Sequence, residues 1–220
     1  MKSVSHKFLQ KMGNTVGRQR NVSLNQIQQE VLLGTLLGDG ILEKNGKNVR
    51  LRVDHGIKQQ AYVQWKYGLL YNLATGKIKY YFQNLDKRTN KKYGHCKFDT
   101  FSNSALNNFY SIFYANGKKE VPKNIIDLFK SPLSLAVWFM DDGYKRSDCN
   151  AFRISTDSFS LLEQNLLQKC LQINFGIKTK IHKKGKYWNI YIPNSQAEKF
   201  ADLIHLYIIP QMQYKISLSP

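Results

Sequence analysis

The chain is 220 residues long, with 33 Lys and Arg against 15 Asp and Glu and a formal net charge of +18 at pH 7. Apolar residues make up 42% and aromatics 13%, which supports a packed core and excludes a disordered basic tail. No apolar run approaches the roughly 18 to 20 residues that cross a bilayer, so no membrane partner is expected.

The three cysteines, Cys96, Cys149 and Cys170, lie too far apart for a disulfide framework or a CxxC metal site. With no hydrophobic signal core at the N-terminus, an intracellular, reducing home is expected. A mitochondrion, another organelle or a bacterial cytoplasm all fit. The surplus positive charge points to a polyanion, with nucleic acid ahead of an anionic membrane surface.

Residues 1–22 hold five Lys/Arg (Lys2, Lys7, Lys11, Arg18, Arg20) and no acid, and read as a basic arm. Ser23-Leu24-Asn25-Gln26 fits a capping box. It opens a helix to about Gly38, apolar at Ile27, Val31, Leu32, Leu36 and Leu37. A strand at Asn48 to Asp54, a helix at Lys58 to Leu73, strands at Lys77 to Gln83 and Lys92 to Thr100, and a helix at about Ser104 to Ala115 follow.

After Pro132 the series recurs. A helix is followed by a strand at Ala151 to Thr156, a helix at Ser158 to Asn174, strands at Ile177 to His182 and Lys186 to Ile192, and a helix at about Gln196 to Leu206. Lys77 follows Asp39 by 38 residues, and Lys178 follows Asp142 by 36. The spacing predicts an internal duplication, with a first half at 23–125 and a second at 126–220 sharing a core. Ala61, Trp65 and Leu69, and Leu162, Leu166 and Cys170, are expected to be packing stripes, as are Trp138 and Phe139.

Leu32-Leu-Gly-Thr-Leu-Leu-Gly38-Asp39-Gly40 is an apolar helix closing on an acid and a glycine. Leu135-Ala-Val-Trp-Phe-Met-Asp141-Asp142-Gly143 repeats it 103 residues later. Glycine suits a left-handed position past a helix end. An acid there opposes the helix dipole by roughly 0.3–1 kcal/mol. Gly34, Gly38 and Ala136 are small enough to let the two helices approach closely. Two carboxylates brought together need a cation or a proton. Oxygen donors suit Mg²⁺, and a metal-activated water with a polarised phosphate is what phosphodiester hydrolysis needs.

Period-two alternation puts Lys77, Lys79, Tyr81 and Gln83 on one face and Ile78, Tyr80 and Phe82 on the other. The partner strand offers Tyr93, His95 and Lys97. In the second copy Lys178, Lys180 and His182 alternate with Ile177, Thr179 and Ile181. Tyr187, Asn189 and Tyr191 alternate with Trp188, Ile190 and Ile192. Lys184 and Lys186 sit in a basic turn, and Arg50, Arg52 and Arg153 come from the first strand of each half. A twisted antiparallel ribbon with this chemistry fits a major groove, Arg and Lys reading guanine and Asn or Gln reading adenine.

LLGTLLGDG and LAVWFMDDG together resemble the signature of single-chain, two-motif LAGLIDADG homing endonucleases. Asn116-Gly-Lys-Lys-Glu-Val-Pro122, Ser131 to Gly143 and Ile209-Pro-Gln-Met-Gln-Tyr-Lys215 are similar to the yeast mitochondrial intron-encoded branch. The resemblance runs from about Gln26 to Lys215. It implies an α/β (α+β) monomer, a pseudo-twofold pair of αββαββα halves with saddle-shaped antiparallel sheets.

It also implies site-specific double-strand cleavage of a long double-stranded DNA target with Mg²⁺ or another divalent ion such as Mn²⁺, Ca²⁺ binding without supporting cleavage. Asp39 and Asp142 would be the metal-binding catalytic acids, and the backbone of Gly38 and Asp141 would join them. Lys119 and Lys215 match the family's basic residues near the scissile phosphates. The first motif departs from the pattern in having Gly38 where an acid or alanine is usual. Asp54-His55 and Asp157-Ser158 fall where the family often carries a water-binding polar residue. The alternative implied is an intron maturase whose partner is host intron RNA.

Overall fold

A computed structural model describes residues 22–115 and 117–218. The basic arm expected at 1–22 falls, but for Val22, outside them. The chain divides into two compact units, one of residues 22–29 with 39–110 and one of 30–38 with 111–218. Helix α1 (Gln26–Leu37) therefore starts in the first unit and contributes its later turns to the second. Its capping box lies two residues past the expected one. The Asn25 side chain accepts from the Gln28 N–H at 2.9 Å, and Gln28 Oε1 accepts from the Asn25 N–H at 3.2 Å. Asn caps as well as Ser does, and Gln28 supplies the reciprocal partner that makes Asn25 the better choice.

In the first unit, β1 (Ile41–Asn45), β2 (Asn48–Gly56), β3 (Lys79–Phe82) and β4 (Gly94–Asp99) form an antiparallel sheet in the order β1-β2-β4-β3. Helix α2 (Gln60–Leu69) lies over β2 and β4. It buries Tyr62, Val63, Trp65 and Leu69 against Leu51, Val53 and Phe98, each side chain worth about 1.5–3 kcal/mol of apolar burial. Helix α3 (Asn107–Phe113) carries the chain across to the second unit.

There β5 (Tyr114–Ala115) and β6 (Lys118–Lys119) make a two-stranded ribbon, followed by α4 (Ile125–Leu128) and α5 (Pro132–Asp142). Pro132 opens α5, and the Ser131 hydroxyl accepts the Leu133 N–H at 3.1 Å. The second sheet repeats the first in order, β7-β8-β10-β9, from β7 (Gly143–Lys145), β8 (Phe152–Ser155), β9 (Lys180–Lys184) and β10 (Tyr187–Ile192). Helices α6 (Leu161–Phe175) and α7 (Asn194–Ile204) complete the unit. Phe139, Phe152 and Phe200 meet at ring distances of 5.0–5.5 Å in its core.

The registers superimpose the copies. Ile41 stands opposite Arg52 and Arg52 opposite Asp99, as Tyr144 stands opposite Arg153 and Arg153 opposite Tyr191. Ile41 and Tyr144 each come two residues after a motif aspartate. The duplication is thus carried by strand pairing as well as by spacing.

Three local expectations change. Gly143 is extended (φ −84, ψ 150) rather than left-handed; its lack of a side chain is needed because a Cβ there would enter the Phe139 ring. Leu162 is 82% exposed rather than core. Gln164 sets the rotation of α6 by turning inward, where it accepts from Thr156 Oγ1 and donates to the Thr156 carbonyl, each at 2.6 Å. On β3 the alternation holds, yet the apolar side stays in solvent, Tyr80 at 52% and Phe82 at 76%. β3 is the sheet edge, beyond the reach of α2.

Candidate active site and nucleic-acid interface

Within the second unit the motif segments pack backbone to backbone through glycine. A Cβ at Gly34 would fall 2.7 Å from Val137 Cβ and against the Ser134 carbonyl oxygen; one at Gly38 would fall 2.5 Å from Asp141 Cβ. Glycine at 34 and 38 is therefore what lets the chain before Asp39 lie against the end of α5. Gly38 in place of an acid or alanine follows from this contact, since Asp141 occupies the space a side chain would need. Asp39 follows Gly38, and Asp142 is the last residue of α5.

Both lysines reach these helix ends. Lys119, on β6, donates its Nζ to the Gly38 carbonyl at 2.5 Å, and Lys215, 8% exposed, donates to the Met140 carbonyl at 2.6 Å. Terminal helix carbonyls carry partial negative charge and lack partners along the helix, so an ammonium there is held by both effects. The pair is not symmetric. Gly38 corresponds to Asp141 in the repeat, and Lys215 takes the carbonyl one residue earlier.

In the first unit the Asp39 carboxylate is largely exposed, and His55 Nδ1 lies 3.4 Å from its Oδ2. His55 itself is buried beside the Tyr62 ring, 5.4 Å away. Asp54, its neighbour on β2, faces the other side of the sheet. It accepts from the Tyr81 hydroxyl at 2.5 Å and contacts His95 Nδ1 at 3.0 Å. Burial, and then Asp54, push the Tyr81 hydroxyl up to about 12. In the second copy Asp157 and Ser158 lie in an exposed turn, and the register gives Thr156 as the counterpart of His55.

The polar face of the first sheet gathers Arg50, Arg52, Lys79, Tyr81, His95 and Lys97. Lys77 and Gln83 flank β3 in solvent, and Tyr93 precedes β4, its hydroxyl on Thr89 Oγ1 at 3.0 Å. Lys97 Nζ sits 4.9 Å from the Tyr81 ring centre. Two acids that sequence reasoning missed, Glu43 and Asp99, lie among them. Arg50 places Nε and Nη2 on Glu43 Oε2 at 3.0 and 2.9 Å. Arg52 bonds Glu43 Oε1 through Nη1 at 2.8 Å and Asp99 Oδ1 through Nε at 2.9 Å. Asp99 chiefly holds the Arg52 proton more tightly than usual. For Glu43 the lost signal was β1 itself, whose sequence ILEKN has no strand pattern; Asp99 was findable, because it continues on β4 the alternation of Tyr93, His95 and Lys97.

On the second sheet Arg153 stands over the Tyr191 ring at 5.9 Å, and His182 stacks on Tyr191 at 4.4 Å. Burial, with Arg153 and Lys180 nearby, lowers the His182 pKa. Asn189 is buried, its Oδ1 without a hydrogen-bond partner among the described residues. Lys180, Lys184 and Tyr187 are exposed on β9 and β10. Lys186 lies in the turn, 5.2 Å from the Tyr187 ring centre, and Lys178 precedes β9 with its N–H on Gln196 Oε1 at 3.0 Å.

The arrangement is a basic, aromatic-bearing sheet face in each unit, with helix ends that carry carboxylates and ammonium groups. Residues 29–200 match the model of the LAGLIDADG DNA endonuclease family. Cytochrome b mRNA maturase bI2 of Debaryomyces hansenii is 32% identical over 206 residues, covering 89% of this chain and 76% of that protein. DNA endonuclease I-ChuI of Chlamydomonas applanata is 32% identical over 217 residues, covering 89% and 97%. The structure of the homing endonuclease I-WcaI bound to its DNA recognition sequence matches with a TM-score of 0.83 at 28% identity, over 90% of this chain and 89% of that one. By sequence and by fold, the chain is a member of the LAGLIDADG DNA endonuclease family.

Proposed function

We propose that this protein is a site-specific homing endonuclease that breaks both strands of a long DNA target by divalent-metal-dependent phosphodiester hydrolysis. The observation that carries this reading is the pair of motif-helix ends, each closing on an aspartate and each bound by a lysine ammonium. In this reading the halves 23–125 and 126–220 act as one monomer, each half serving one strand. Asp39 and Asp142, with the carbonyl oxygens of Gly38 and Asp141, would hold Mg²⁺ or Mn²⁺.

The donor set suits such an ion, because it consists of hard oxygens and Asp39 is open to solvent. Bound there, the ion supplies Lewis-acid activation of water and phosphate. Ca²⁺ would bind the same oxygens without supporting cleavage. Lys215, oriented in advance by the Met140 carbonyl, and Lys119, on yielding the Gly38 carbonyl to the ion, would stabilise charge growing on the phosphate. His55 would orient the Asp39 carboxylate, as partners of ligating groups do.

The test is cleavage of a duplex spanning the intronless exon junction of the host gene, with Mg²⁺. Asp39→Asn or Asp142→Asn is expected to abolish double-strand cutting while DNA binding persists. Full activity in either would refute the acid assignment. Binding should weaken steeply with salt, each neutralised phosphate contributing roughly −0.9 to the log–log slope.

A second reading, assistance to host intron RNA folding, is favoured by the relative named as a cytochrome b mRNA maturase. Splicing help that survives the Asp39/Asp142 double variant, with no cleavage by the wild type, would select it. Among the described residues no helix is long and apolar enough to cross a membrane. An intron-borne gene and an organellar site of action, such as a mitochondrion, fit the relatives named for introns and for cytochrome b.

A further inference from the structure

We infer that the two sheets recognise DNA by different means, and that Glu43 and Asp99 are positioning residues that give the first sheet its base specificity. The inference rests on the endonuclease reading above and extends it to how the target is chosen.

The internal duplication provides the control. At positions matched by strand register, Glu43, Asp54 and Asp99 of the first copy correspond to Arg146, Ser155 and Tyr191 of the second. Arg52 and Arg153 are themselves equivalent. On the face that carries Arg52 the first sheet has Arg50, Arg52, Lys79 and Lys97 with those three acids; on the face that carries Arg153 the second has Arg153, Lys180 and Lys184, with no acid on its strands. The strands of the first sheet thus present carboxylate-held cations and those of the second present aromatic-flanked or solvent-exposed ones, while Arg146, just past β7, is held on Asp148 in the exposed turn that follows.

Glu43 takes both arginines, one on each oxygen, and Asp99 takes Arg52 from the far side at 2.9 Å. A guanidinium held on two carboxylates has its plane fixed before DNA arrives, and donors not used in those bonds remain for a base edge. Little side-chain freedom is then lost when it meets guanine O6 and N7, and a mismatched base cannot be met by rotating the group. The same carboxylates repel phosphate, so this face gains little from backbone charge alone. The second face has the opposite balance. With no acid on its strands, its lysines can follow phosphates of any sequence.

The test uses the full chain and a random duplex DNA library with Ca²⁺, followed by anisotropy against the enriched duplex and its single-base-pair variants. Glu43→Gln keeps the side-chain shape and removes the charge. It is expected to lower discrimination about 5- to 50-fold at a short run of adjacent positions in one half-site, the positions also affected by Arg50→Gln and Arg52→Gln. Asp99→Asn should affect only the Arg52 position. Lys180→Gln and Lys184→Gln should weaken all sequences alike, each reducing the log–log salt slope by roughly 0.9, with base preference unchanged. A wild-type protein that enriches no duplex overturns the endonuclease reading together with this one. A wild type that enriches a duplex, with Glu43→Gln and Asp99→Asn folded and keeping its preferences or losing affinity evenly, overturns this inference alone.

Discussion

Gly34 and Gly68 are both helical glycines, and the structure assigns opposite signs to the same substitution at them. Replacing either by Ala adds helix propensity worth about 1 kcal/mol. At Gly68, in α2, the new Cβ meets nothing within 4 Å, so the gain stands, reduced somewhat by its place near the helix end. At Gly34 the Cβ would overlap the Ser134 carbonyl oxygen and lie 2.7 Å from Val137 Cβ. A carbonyl oxygen has no rotamer by which to yield, so α1 and α5 must move apart. Overpacking of this kind costs about 1–3 kcal/mol, and the upper end applies, leaving a net loss of about 2 kcal/mol. For a chain of this size 1 kcal/mol shifts Tm by about 2–4 °C. Thermal unfolding followed by circular dichroism should therefore show Gly34→Ala falling by about 4–8 °C and Gly68→Ala rising by about 1–4 °C. Equal shifts of the same sign would refute close packing of the motif helices.

Three further outcomes are expected. Lys215→Met should leave urea stability within about 1–3 kcal/mol, because the orphaned Met140 carbonyl is offset by removal of a buried charge, while cleavage falls at least about 100-fold; retained cleavage would remove Lys215 from the reaction. His182 has its pKa lowered, so its contribution to stability is complete above its unfolded value near 6.5 and is lost as pH falls through the folded value. An NMR titration should give that lowered pKa, and His182→Gln should flatten the acid limb of the stability curve. Burial raises the Cys170 thiol to about 11, so its contribution is present below the usual thiol range and lost as pH rises through about 11. In native protein at pH 8 a thiol reagent should modify exposed Cys149 quickly and buried Cys96 and Cys170 only on unfolding.

Much of the fold was legible because long-range chemistry followed local rules. Pro132 after Ser131 marks the start of α5, period two marks β4 and β10, and the matched spacing marks the repeat. The elements that escaped are those whose sequences carry no period: β1, β7 and the two-residue ribbon of β5 and β6 are fixed by their partners rather than by their own residues. Leu162 misled for a related reason, since its helix is turned by the hydrogen bonds of Gln164 rather than by an apolar stripe. At the site, the two motifs pointed to Asp39 and Asp142, and the family resemblance to Lys119 and Lys215. No sequence pattern could show that Lys119 grips Gly38 or that Glu43 joins two arginines, because those contacts depend on register.

The two copies also show which positions the fold constrains. Facing inward, Val53 and Phe98 of the first sheet correspond to Ile154 and Ile190 of the second, and all four are buried. Each must fill the space under a helix, and any large apolar side chain does so. Facing outward, one residue along the same strands, Asp54 and Asp99 correspond to Ser155 and Tyr191, and Lys97 to Asn189. Packing exerts less pressure there: all but the buried Asn189 keep part of their surface in solvent, so size and charge can vary with little risk of opening a cavity. Alternation in a strand thus separates two demands at single-residue resolution. The inner positions keep the halves alike, and the outer ones carry different surface chemistry in each half on an unchanged frame.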